Sequence, residues 1–104
     1  MKEFELALPA NINPIIAEQI IERCCAAQSL TQSLKGSLKK YPDSLHWHFK
    51  QEGQRGTLEI TLWPRASQIR FKVQEGRQAL WIEEIVSTLP GRIVQELANV
   101  ADGG

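Results

Sequence analysis

Between Leu45 and Val73 the chain alternates apolar and polar residues three times over, and this commits its centre to a sheet. Leu45, Trp47 and Phe49 alternate with His46, His48 and Lys50. Leu58, Ile60 and Leu62 alternate with Glu59, Thr61 and Trp63, and Ile69, Phe71 and Val73 with Arg70, Lys72 and Gln74. A period of two belongs to strands with one face on a core and the other in water. The joining segments, Gly53-Gln54-Arg55-Gly56 and Pro64-Arg65-Ala66-Ser67, are of hairpin length, which predicts an antiparallel meander.

Residues opposite each other in a ladder must point the same way, so the register follows from the loops. A two-residue turn at Gly53-Gln54 sets His48 opposite Glu59 and His46 opposite Thr61. A four-residue loop at 64–67 sets Glu59 opposite Lys72 and Thr61 opposite Arg70. The polar face then carries the rows His48-Glu59-Lys72 and His46-Thr61-Arg70, with Lys50, Thr57 and Gln74 as a third. A four-residue first loop would instead place Lys50 against Glu59 and His48 against Thr61.

On the N-terminal side, Phe4, Leu6 and Leu8 alternate with Glu3 and Glu5, a strand over Lys2 to Leu8 closed by Pro9. Asn11 or Asn13 caps a helix with Pro14 in its first turn. Its apolar stripe, Ile16, Ile20, Cys24, Ala27, Leu30 or Thr31, Leu34 and Leu38, predicts a helix reaching about Lys35 to Lys40, where lysines suit the dipole. Tyr41-Pro42-Asp43-Ser44 reads as a turn. After Gly76, Ile82, Val86, Leu89, Ile93, Leu97 and Val100 form a second stripe. It crosses Pro90-Gly91, a pair costing about 3–4 kcal/mol inside a helix. Two consecutive helices, or one sharply kinked and capped at Ser87 or Thr88, are therefore expected. The predicted fold is α+β in two layers, of order β-α-β-β-β-α-α, with the helices on one face of the sheet. A length of 104 residues supports one domain, over 1–101, with 102–104 a frayed tail.

The chain has 42% hydrophobic and 23% charged residues, which suits a soluble globular protein. It shows no apolar run long enough to span a membrane, and Glu3 and Glu5 do not fit a signal peptide. Its only cysteines, the adjacent Cys24 and Cys25, exclude a disulfide framework and a four-cysteine zinc site, so a cytoplasmic protein is expected. Cys24 falls in the helix stripe and reads as core. The sequence contains no nucleophile elbow, phosphate-cradling loop or dinucleotide fingerprint, and Glu83-Glu84 reads as a dipole-favouring pair. A non-enzymatic protein without a cofactor is expected.

Three functional possibilities remain on the surface. Trp81, beside the last apolar stripe, and Trp63, on the polar sheet face, are candidate anchors of a protein interface, a homodimer being one form. The zero net charge hides an asymmetry: residues 35–77 carry nine Lys/Arg against four acids. Lys50, Arg70 and Lys72 could therefore hold a polyanion such as nucleic acid, with Trp63 stacking on a base. His46-x-His48 places two imidazoles about 6–7 Å apart at their Cα atoms on one face of a strand, and Glu59 could add an oxygen. Zinc ordinarily takes a further strong ligand, so the expectation here is solvated polar side chains and no metal.

From Ile15 to Val100 the expected α-β-β-β-α order resembles that of double-stranded-RNA-binding domains, in element order alone. Those domains carry a lysine cluster at the start of the last helix, where this chain reads Gly76-Arg77-Gln78-Ala79.

Overall fold

The computed structural model describes residues 2–10, 12–73 and 80–103. The elements are β1 (Lys2–Ala7), α1 (Pro14–Ala27), β2 (Leu30–Leu38), β3 (Tyr41–Gln51), β4 (Leu58–Trp63), β5 (Gln68–Val73) and α2 (Leu80–Gly103), with a 3-10 turn at Pro64–Ala66. The fold is α+β: an antiparallel five-stranded sheet in the order β1-β5-β4-β3-β2, plus two helices.

The meander and its register stand as the alternation predicts. His46 faces Thr61, His48 faces Glu59, and these face Arg70 and Lys72 on β5. The second connection turns in the four residues 64–67, with Ser67 left-handed at φ 53° and its N–H on the Pro64 carbonyl at 3.0 Å. The first is wider than a two-residue turn. Its ladder ends at Phe49 and Leu58, and a turn closed by Gln54 N–H on Gln51 O follows, with Gly53 at φ +74°. Lys50 and Thr57 thus lie past the last β3–β4 pair, and Gln74 lies outside the described residues.

The core lies between the apolar sheet face and the helices. Trp47, Ile60, Leu62, Ile69 and Phe71 meet Ile20, Ile21 and Cys25 of α1 and Ile82, Leu89, Ile93 and Leu97 of α2, all almost wholly buried. On β1, Phe4 stacks on Phe71 with ring centroids 4.9 Å apart. Asn13 is the cap of α1, its Oδ1 accepting from the Ile15 N–H at 2.8 Å; Asn11, the alternative, lies outside the described residues.

Three sequence expectations are corrected. First, α1 ends at Ala27, Ser29 is left-handed at φ 63°, and residues 30–38 form strand β2. Leu30, Leu34 and Leu38 recur every four residues, a spacing close to one helical turn, whereas in the strand a register shift between Gln32 and Leu34 sets Leu30 in the core and Leu34 on the opposite face. Thr31, Ser33, Gly36 and Ser37 are also weak helix formers. Second, the reversal falls at Lys39-Lys40, and Tyr41–Ser44 begins β3. Four residues, 42–45, stand opposite the single Ser37, a large bulge that includes Asp43 at φ 64°. Third, α2 is one helix running through Pro90 and on to Gly103, into the segment expected as a tail. Ser87 Oγ donates to the Glu84 carbonyl at 2.6 Å, and Thr88 Oγ1 donates to Glu84 and Ile85, in the turn that Pro90 disturbs. Burial of Ile82, Ile85, Leu89, Ile93 and Leu97 along one side outweighs the proline.

The observed order, β-α-β-β-β-β-α, has a fourth strand between the helices and so departs from the RNA-binding order. Gly76 to Ala79, where the lysine cluster of those domains would stand, lie outside the described residues. No helix among the described residues is long and apolar enough to cross a membrane.

Candidate functional site

The polar sheet face differs from the solvated surface that its alternation predicts. His46, Glu59 and Thr61 are buried, with 7%, 6% and 6% of their surface exposed. Tyr41, separated from His46 by the β2–β3 bulge, reaches across this face toward β4 and β5. The Tyr41 ring packs on Trp63 at 4.7 Å between centroids, and its hydroxyl accepts from Arg70 Nη1 at 2.7 Å. Below lies a cavity of about 150 Å³ lined by His46, Glu59, Thr61, Arg70 and Lys72 together with Tyr41.

At its centre three ligating atoms converge. His46 Nε2 and His48 Nε2 are 3.1 Å apart. Glu59 Oε1 lies 3.3 Å from the first and 3.7 Å from the second. The other nitrogen of His46, Nδ1, is 2.7 Å from Thr61 Oγ1. Burial lowers the His46 pKa, against the pull of the Glu59 carboxylate, and the charges of His48 and Lys72 lower it further. The shift favours the neutral ring, the form that can ligate. His48 is half-buried and opens on a groove of about 500 Å³ along β2, lined by Leu34, Gly36 and Leu38.

The remaining candidates lie on β3, β4, β5 and α2. Trp81 is buried, 6% exposed, with its indole N–H on the Arg55 carbonyl at 2.6 Å, which ties α2 to the β3–β4 loop. Trp63 is half-buried against Tyr41 and donates to the Pro42 carbonyl at 3.1 Å, so its ring serves the hairpin. Arg70 is paired with Glu3, has Glu5 within 3.7 Å, and stacks on Tyr41. Lys72 lies between Glu3 on β1 and Glu59 on β4. The edge strand β1 thus interleaves acids with the bases of this face, and Lys50 stands apart at the exposed end of β3.

Sequence reasoning set His46, His48, Glu59 and Thr61 on one face but missed Tyr41, Leu34 and Leu38. A turn reading hid the first, and a helix reading hid the two leucines. The chain matches no protein-family model, no curated protein and no solved structure.

Proposed function

We propose that the chain is a small non-enzymatic interaction module that pairs with a second copy of itself along β2. The observation that carries this reading is the edge itself. β2 is a terminal strand of nine residues, and seven in succession, Thr31 to Ser37, are exposed. An unpaired strand edge offers backbone donors and acceptors to another strand.

Its side chains are self-complementary. Leu34, 46% exposed, and Gly36 both lie on the polar face, opposite His48 and His46. Nothing stands within 4 Å of where a Cβ on Gly36 would be. A two-fold axis through Lys35 sets Leu34 of each copy opposite Gly36 of the other, filling the notch in an antiparallel pair. The two Lys35 charges would meet at that axis. Each is compensated within its own copy, its Nζ lying 2.5 Å from Glu18 and 2.8 Å from Glu22. Register shifts on either side of Leu34–Gly36 confine regular pairing to a short central stretch, so the association is weak. The free, buried thiols of Cys24 and Cys25 suit a reducing compartment, and we place the module in the cytoplasm.

Sedimentation equilibrium across the micromolar range tests the reading. The wild-type chain forms dimers, and Leu34→Lys and Gly36→Leu each shift the balance to monomer. A wild-type chain that stays monomeric at high micromolar concentration overturns it. The polyanion alternative is the weaker reading, because Arg70 is already paired with Glu3. Salt-sensitive retention on nucleic-acid probes, lost in Lys50→Ala, would restore it.

A further inference from the structure

We infer that His46, His48 and Glu59 form a binding site for one divalent transition-metal ion of the zinc type. The inference is independent of pairing along β2. A tetrahedral ion with bonds of about 2.0–2.2 Å requires its ligand atoms about 3.3–3.6 Å apart. The separations of 3.1, 3.3 and 3.7 Å among the two Nε2 atoms and Glu59 Oε1 bracket that spacing. Three corners of a tetrahedron are therefore in place before any ion arrives.

Local structure explains why they converge. His46 and His48 share one face of β3, two residues apart, and Glu59 faces His48 directly on β4. All three stand on central strands of the sheet, where backbone pairing limits their movement. His46 Nδ1 lies 2.7 Å from Thr61 Oγ1, and the tautomer with its proton on Nδ1 leaves the Nε2 lone pair facing its partners, the orienting bond that metal-bound imidazoles ordinarily make. Without a metal, two imidazole nitrogens 3.1 Å apart must share a proton, since two lone pairs so close repel. A cation replaces that proton. Lys72, opposite Glu59 on β5, is the opposing charge, and it lowers the affinity.

The donor set, two imidazoles and one carboxylate, suits zinc and its neighbours in the transition series and not calcium or magnesium, which prefer oxygen alone. His46 and Glu59 line both the cavity under Tyr41 and the groove beside Leu34. The fourth coordination position thus faces space that can admit water or an incoming donor atom. Three protein ligands with one exchangeable position is the arrangement of zinc sites that act on or capture a ligand.

Equilibrium dialysis of the untagged chain against zinc chloride, with metal analysis, is the test. One zinc per chain at micromolar affinity or tighter is expected. His48→Ala and Glu59→Gln should each weaken it by at least about tenfold, as should Thr61→Val through His46. Glu96→Gln, on α2 where it pairs with Arg23 of α1, should leave binding unchanged. Imidazole nitrogen resonances in the wild-type chain provide a check that needs no variant: zinc should shift the Nε2 signals of both rings. Zinc uptake only at millimolar concentration, unshifted Nε2 signals, or equal binding by folded His48→Ala would each overturn the site.

Discussion

The indole of Trp47, fully buried in the core, donates its N–H to Glu22 Oε2 at 3.0 Å, and Lys35 approaches the same oxygen at 2.8 Å. Burial raises the Glu22 pKa. The hydrogen bonds from Lys35 and Trp47 and the Lys35 charge outweigh it, so the carboxyl titrates below its ordinary value of 4.5. The unfolded chain therefore takes up the proton first as the pH falls. The contribution to stability is complete above about pH 4.5 and is lost as the pH drops through the folded-state value. Glu22→Leu leaves the indole N–H without its acceptor and should cost about 1–3 kcal/mol at neutral pH. Glu22→Gln keeps an acceptor, so it should cost less and flatten the acid limb of the stability curve. Urea unfolding of the three chains at pH 7 and pH 4 checks both effects.

At the level of elements, α2 shows how a buried stripe overrides local preference. Pro90 has no N–H for the Val86 carbonyl, yet the helix continues because Leu89 and Ile93, on either side of it, are both fully buried. Gly91, next in the chain, is exposed, and a Cβ placed there meets nothing within 4 Å. Gly91→Ala should therefore stabilise the protein by about 0.5–1 kcal/mol through helix propensity and a less flexible unfolded chain. Thermal unfolding followed by circular dichroism reads this as a rise in Tm. No change would mean that the Pro90 turn departs from helical geometry at Gly91.

The whole molecule is two layers thick, with a least dimension of 20 Å, and the adjacent thiols of α1 sit between the layers. Burial pushes the Cys25 thiol up to about 12, helped by Cys24 and Glu22. Burial also raises Cys24, and the Glu96 charge adds to it against Arg23 and Arg92. Alkylation needs an accessible thiolate, so neither cysteine should react in the native protein at about pH 8. Their reaction rate should follow the opening of the core, rising with urea in step with global unfolding. Mass-spectrometric counting of alkylated thiols measures this, and rapid native labelling of Cys25 would show that α1 opens by itself.

The sequence by itself determined whatever rests on a period of two with one buried face. The strands across Leu45 to Val73, their register, and the sharing of one face by His46, Glu59 and Thr61 all follow from that. A one-residue slip would turn Trp47, Ile60 and Phe71 out of the core, so burial leaves no freedom there. Tertiary structure alone decided what periodicity leaves ambiguous. Leucines spaced by four read as one helical face, yet residues 30–38 form a strand along the free edge of β3, where a register shift parts Leu30 from Leu34. That pairing includes the bulge at 42–45, Tyr41 before it reaches across the polar face, and His46 after it is buried beside Glu59. Convergence of three ligand atoms to within 3.7 Å depends on side-chain directions across two strands. A linear pattern sets which face a side chain occupies, and only packing sets where on that face it points.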